Sequence, residues 1–393
     1  MSTHWGFTTK AIHGGKMTDA HKSVVPPIYQ TATFYYDTAE EGIRIGQEIP
    51  PGYIYSRWAN PTTRVLEEKV ALLEEAEDAL AVSSGMAAVT SAVMTVLHPG
   101  DHAVAPRAIY QAAYQLFAEI LPGYGIETTL LADTELDSYE RALRPSTRLL
   151  YIETPNNPVL DVTDIAGVVA LSRGRGAMTI ADNTFATPYN QNPIALGVDA
   201  VVHSATKYLG GHHDVTAGVL AASQQFIQRS KRHARIFGTT IDPFGAWLVT
   251  RGLSTLGLRV DRQNRSAQRL AEFLAGHARV ERVHYPGLSG HRGHEVAKRQ
   301  MRGFGGMLSF EVAGGYDPGV RVLEALRVGK RATSLGGVST LVSHPASLSS
   351  VHMPKDVRAA AGITDGLIRV SVGVEDEEDL IADFEQALAR ASS

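Results

Sequence analysis

Short apolar runs alternate with helical stretches along the middle of this chain. From Asp78 onward the candidate strands are Ala79–Val82, His102–Ala105, Thr128–Leu131, Leu149–Ile152, Met178–Ala181, Ala200–Val202 and Gly218–Ala221. Strands that alternate with helical patterns indicate βαβ units, and hence a mostly parallel sheet with helices on both faces. Upstream, Leu66, Val70 and Leu73 recur at helical spacing among Glu and Lys, which predicts an amphipathic helix over Thr62–Glu77. The first 60 residues carry Pro26-Pro27, Tyr35-Tyr36, Pro50-Pro51-Gly52 and Asn60-Pro61 with little periodicity, and read as an extended arm. Past Thr250–Leu258 the texture changes again. A helix around Gln263–Ala275, strands near Val280–Tyr285, Met307–Val312 and Leu367–Val372, and a closing helix over Glu377–Ala391 predict a smaller α+β domain. The expected organisation is an arm (1–60), a large α/β domain (61–250) and a C-terminal α+β domain (251–393).

Composition narrows the function classes. The 393 residues are 44% apolar and 20% charged, which are globular proportions, and the formal net charge is −4. That balance argues against a nucleic-acid partner, which selects a basic surface. The one basic cluster, Arg229 to Arg235, reads as the solvated face of a helix. There is no cysteine, so disulfides, thiolate metal sites and a thiol nucleophile are excluded. The N-terminus lacks a charged segment followed by an apolar core, and no apolar run is long enough to span a bilayer. The expectation is a cytoplasmic protein without a membrane partner.

In an open α/β sheet a ligand sits outside the carboxyl ends of the strands, so polar residues after each apolar run carry the chemistry. Ser204-Ala205-Thr206-Lys207 follows one such run. Its hydroxyls suit phosphate oxygens, and a desolvated lysine near other cations has its pKa lowered enough to form a Schiff base. A lone lysine after a strand is more often a surface residue, but a second run changes the balance. Asp182, directly after Met178–Ala181, is costly to bury without a partner; a pyridinium nitrogen would fit, and so would a role capping the next helix. Ser84-Gly85-Met86 puts a glycine where a strand turns into a helix, a place where backbone amides close on an anion.

These runs, with Val25 to Phe34, Tyr55-Ser56-Arg57, Asn60-Pro61-Thr62, Ser334-Leu335-Gly336-Gly337 and Arg369 to Gly373, make the chain similar to the pyridoxal-phosphate enzymes of cysteine and methionine metabolism. The resemblance runs from about Thr9 to the C-terminal helix and, within that group, is strongest to the methionine γ-lyases. It implies an α/β, aminotransferase-like chain of fold type I: a mostly parallel seven-stranded sheet with helices on both faces, plus the smaller C-terminal α+β domain. It implies pyridoxal 5'-phosphate as cofactor, Lys207 as the Schiff-base lysine and Asp182 as partner of the ring nitrogen. Ser204, Thr206 and the amides of Gly85 and Met86 would hold the phosphate, and Asn157 the phenolic oxygen. Tyr110 would stack on the ring and assist the leaving group. Ser334 and Arg369 would receive the substrate carboxylate, a task that also suits a guanidinium on physical grounds. Tyr55 and Arg57 would reach the phosphate of a neighbouring subunit, giving a homotetramer of two site-sharing dimers.

The implied reaction is α,γ-elimination on a small sulfur-containing amino acid, yielding a 2-oxo acid, ammonia and a thiol, with γ-replacement on cystathionine-type or O-acylhomoserine substrates as the alternative. Thr333 stands where cystathionine-processing relatives commonly carry a glutamate, which disfavours cystathionine. Ala112, Ala234-Arg235 and Ser349-Ser350 depart from the usual methionine γ-lyase pattern and leave the substrate open.

Three other classes compete. His212-His213-Asp214 has metal-ligand types, but consecutive residues rarely converge on one ion and no His-Glu-x-x-His accompanies them. A nicotinamide site lacks its Gly-x-Gly-x-x-Gly after an early strand, since Gly174-Arg175-Gly176 precedes one. A cofactor-binding protein without turnover is opposed by intact Lys207, Asp182, Tyr110 and Arg369.

Overall fold

The computed structural model describes residues 4–15, 17, 19–47, 52–348, 351, 355, 358 and 362–392; Pro50-Pro51 and Ser349-Ser350 lie outside them. Seven strands form the first sheet: β1 (Asp78–Val82), β2 (His102–Pro106), β3 (Glu127–Leu131), β4 (Thr147–Glu153), β5 (Met178–Asp182), β6 (Ala200–Ser204) and β7 (Gly218–Ala222). Their order is β1-β7-β6-β5-β4-β2-β3. Only β7 runs against its neighbours, β1 and β6; the other pairings are parallel. Both faces are apolar because both are covered. On β6, Ala200 and Val202 pack into one cluster with the helix Gly85–Val96, while Val201 packs into another with the helix Ile165–Arg173.

The second sheet holds β8 (Val280–His284), β9 (Met307–Val312), β10 (Lys330–Arg331), β11 (Leu341–Ser343) and β12 (Leu367–Ser371), in the order β10-β11-β12-β9-β8. The helices Leu256–Ala275 and Glu377–Leu388 share its core, in which Phe310 meets Phe384 edge-on. The first of these helices starts earlier than the sequence suggests, because Leu256 and Val260 are buried in the core beneath the first sheet.

The arm departs from the expectation of an extended segment. It contains α1 (Phe7–His13) and α2 (Ala39–Gln47). Helix α1 is tied down by a single deep contact, since Ala11 is fully buried. The Lys69 ammonium donates to the carbonyls of Ala11 and Ile12 at 2.6 and 3.1 Å. Lys69 belongs to α3 (Pro61–Glu74), which Asn60 caps by accepting from Thr62 N at 2.9 Å. This helix stops short of Glu77 because Glu75 is left-handed, with φ 60°. The basic cluster lies on the helix Gln224–Phe237, but that face is not simply solvated. Lys231 pairs with Asp78 at 3.3 Å, and Arg229 donates to the carbonyl of Thr95. No helix among the described residues is long and apolar enough to cross a membrane.

Candidate active site

Parallel β4, β5 and β6 end side by side, which sets Glu153, Asp182 and Ser204 along one rim of the sheet. Beyond that rim opens a cleft of about 570 Å³. Ten of the residues singled out from the sequence line it: Gly85, Met86, Tyr110, Asn157, Asp182, Ser204, Thr206, Lys207, Thr333 and Ser334; Arg369 makes the eleventh. A cleft of this size takes a small cofactor together with a small substrate.

The floor is a close approach of two backbones. A Cβ on Gly85 would lie 2.7 Å from the Cβ of Ser204, and one on Gly218 would lie 2.0 Å from the carbonyl oxygen of Ser84. Only glycine fits either place. Ser84 caps the helix by accepting from Ala87 N at 3.1 Å, so the amides of Gly85 and Met86 occupy the first turn, where no intrahelical acceptor exists. Ser204 N donates to Thr184 Oγ1 at 2.8 Å, which fixes the loop. The Thr206 hydroxyl is partly engaged, accepting from Ala217 N at 2.9 Å and donating to Ala217 O at 3.2 Å.

Lys207 follows in a turn, its amide donating to Ser204 O at 3.1 Å. Its Nζ donates to Ser334 Oγ at 2.8 Å. Burial pushes this ammonium down to about 8, and the nearby Arg369 charge adds to the effect. Ser334 holds a left-handed backbone, φ 71°, which for a non-glycine costs roughly 1–3 kcal/mol and is tolerated where the surroundings enforce it. Arg369, on β12, donates from Nη1 to Asn157 Oδ1 at 3.1 Å and from Nη2 to the Ser334 carbonyl at 3.0 Å. Burial lowers this guanidinium to about 10, still well above neutrality, and its Nε has no hydrogen-bond partner among the described residues. An unsatisfied buried donor on a retained cation is suited to an incoming carboxylate.

Asp182 accepts from Thr184 N at 2.9 Å, closing a turn rather than capping a helix. Burial raises its carboxyl above the usual range, so a cationic partner in the cleft would favour its ionised form. Tyr110 stands half-exposed at the cleft's edge. Tyr55 and Arg57 do not line this cleft. Arg57 lies 5.7 Å from the Tyr55 ring centroid and donates to Arg235 O at 2.6 Å, and it borders a separate, smaller pocket. Arg235, in turn, sits 5.5 Å from the Trp58 ring. Ala112 does not line the cleft. Among the described residues no group of three or more His, Asp or Glu could hold a metal.

Arg107, Gln111, Tyr114 and Glu153, none of which carried an assigned role in the sequence, line the cleft too. Glu153 had a visible signal: a carboxylate at the end of a buried strand, as unexpected there as Asp182.

A lysine with a depressed pKa, a strand-end aspartate and a glycine-floored anion seat, set on this sheet, define a pyridoxal-phosphate enzyme of the aminotransferase-like fold. The chain belongs to the Cys/Met metabolism PLP-dependent enzyme family, whose model matches residues 8–389. It is 44% identical over 389 residues to the L-methionine gamma-lyase of Fusobacterium nucleatum subsp. polymorphum, covering 98% of each chain. It is equally 44% identical to the cystathionine gamma-lyase of Bacillus subtilis (strain 168), over 97% of this chain and 98% of that one. The crystal structure of metB from Corynebacterium glutamicum superposes with a TM-score of 0.92 at 39% identity, covering 98% of both chains. Pyridoxal 5'-phosphate is the cofactor of this family, and the seat, the amine and the strand-end carboxylate fit its phosphate, aldehyde and ring nitrogen.

Proposed function

We propose that the protein is a carbon–sulfur lyase that converts methionine and water to 2-oxobutanoate, ammonia and a thiol by α,γ-elimination. Bound pyridoxal phosphate supplies an electron-withdrawing ring that stores the charge left when a proton leaves the substrate α-carbon. Lys207 takes that proton, and with its pKa near 8 it can return it at neighbouring carbons. Arg369 holds the substrate carboxylate, and Ser334 holds the Lys207 amine while it is free. With the cofactor bound, Asp182 would keep its ring nitrogen protonated, Asn157 would serve its phenolic oxygen, and Ser204, Thr206 and the Gly85 and Met86 amides would hold its phosphate. Tyr110 would cover the ring and supply a proton to the departing sulfur.

One observation carries the choice of methionine. Among the described residues, the acidic ones lining the cleft are Glu153 and Asp182. Glu153 is committed to backbone amides and Asp182 to the cofactor, so none of the described lining carboxylates is left for the distal ammonium of cystathionine. Thr333 is neutral, which supports the same reading. The names of the methionine γ-lyases at 41–44% identity agree with it. A second reading, γ-replacement on an O-acylhomoserine with a distal carboxylate, is favoured by Arg107, a cationic residue that lines the same cleft.

The test is product identification after offering methionine, cystathionine, cysteine, homocysteine and O-acylhomoserines, with and without a thiol. Release of 2-oxobutanoate and a thiol from methionine is expected. Pyruvate alone would mean β-elimination, and a new thioether would mean replacement. The working form in this proposal is a tetramer of two dimers, with Tyr55 and Arg57 completing the neighbour's site. The exposure of Val24, Tyr35, Ile43 and Trp58 in and beside the arm supports a covered surface there.

A further inference from the structure

Glu153 is buried at the end of β4, in register with Asp182 on β5. It makes no ion pair among the described residues, which is unusual for a carboxylate so deep. Its two oxygens are spent on backbone instead. Oε2 accepts from Tyr110 N at 2.8 Å, and Oε1 accepts from Asn157 N at 3.2 Å. Those amides lie 43 positions apart in one direction and 4 in the other along the chain from Glu153. Each introduces a loop that carries a side chain of the cleft. Tyr110 also precedes the first turn of the helix Gln111–Gln115, so a negative group at its amide is further favoured by the helix end.

We infer that Glu153 is a positioning residue: a two-pronged clasp whose carboxylate sets the placement of Tyr110 against that of Asn157 across the cleft. The inference rests on the reading that those two side chains face the cofactor. A carboxylate suits this task better than an amide, because it offers an acceptor to each loop, whereas a glutamine would turn its NH₂ toward one of two N–H donors. Through Asn157 the clasp also reaches Arg369, whose Nη1 donates to Asn157 Oδ1 at 3.1 Å. Burial and, after it, the neighbouring Asp182 charge raise the Glu153 carboxyl well above the usual carboxylate range, against the pull of the two amides, which favour its ionised form. Its like-charged neighbour makes this an expensive place for a carboxylate that only filled space.

The experiment compares wild type, E153Q, Y110F and the double variant, each loaded with pyridoxal phosphate. Expected for folded E153Q are a shift in the visible absorption band and a kcat lower by roughly tenfold to a hundredfold, with a smaller change in KM. In the Y110F background the further loss from E153Q should shrink, since Glu153 acts through Tyr110. A band and kcat unmoved in folded E153Q, or losses that add fully in the double variant, would overturn the inference. E153D keeps both acceptor oxygens on a shorter stem and serves if E153Q does not fold. The same changes are expected from it in lesser degree, and identity with wild type again overturns the inference. If wild type itself shows no visible band with the cofactor, the functional reading fails. If wild type shows it and E153Q leaves it unmoved, only the clasp fails.

Discussion

The Nζ of Lys207 lies 2.8 Å from Ser334 Oγ, across 127 positions of sequence, and the hydroxyl accepts its hydrogen bond. Burial brings the amine to about 8 from its ordinary 10.5, so the neutral, nucleophilic form gains as pH passes 8. Capture of pyridoxal phosphate by apoprotein, followed as growth of the visible band, should accelerate through about pH 8 and then level off. A rate still climbing toward 10.5 would contradict the assignment. Lys207→Ala should remove both the band and turnover.

Arg57 borders a pocket apart from the Lys207 cleft. If it completes a neighbour's site, Arg57→Ala should weaken cofactor retention. Mixing inactive Lys207→Ala subunits with Arg57→Ala subunits, then allowing exchange, should restore roughly a quarter of wild-type activity, because half of the mixed dimers' sites carry both residues intact. Failure to recover activity after verified exchange would place Arg57 outside the site.

Gly85→Ala puts a methyl group 2.7 Å from Ser204 Cβ and 2.9 Å from its Cα. The helix start must then lift away from the loop after β6, at a cost of about 1–3 kcal/mol. Cofactor titration of the apoprotein should show weakened binding together with a lower melting temperature. Wild-type affinity in this variant would mean that the seat lies elsewhere.

Thr333→Glu introduces a carboxylate beside Ser334 in the cleft, where the acidic lining residues present are already engaged. The ratio of kcat/KM for cystathionine over methionine should rise by about tenfold or more, as expected for a newly satisfied distal ammonium. An unchanged ratio would remove Thr333 from the specificity argument.

Legibility in the sequence followed the physics of each element. Apart from β3, whose Glu127-Thr128-Thr129 is polar and only partly covered, the strands of the first sheet read as short, largely apolar runs, and β9 was bounded at Met307 and Val312 just as it is found. Because these runs were clear, the residues after them were clear too, which is how Asp182, Ser204 and Lys207 came into view. Strands β10 and β11 left no such trace; Lys330–Arg331 is exposed and charged, and Leu341–Ser343 is too short to show alternation. Helix α1 hides for a related reason, since Ala11 is its one buried residue. Glu153 stood out as the polar end of a buried strand, but its role was hidden because its partners are backbone amides, and an amide carries no residue identity. Tyr55 and Arg57 stand apart from the cleft of their own chain, a relation that only a resemblance, not a pattern, could suggest.

Asp182 ends β5 and Lys207 follows β6, at the carboxyl-end rim of the first sheet, whereas Arg369 stands on β12 of the second and Ser334 in the loop before β11. In the proposed reaction, an amino acid gripped by its carboxylate at Arg369 and worked upon at Lys207 would brace one sheet against the other. The substrate would then be a temporary strut in that joint. How firmly the joint closed on it would govern residence as well as rate, so residues that stiffen or loosen the contact between the sheets would tune the enzyme without entering the cleft.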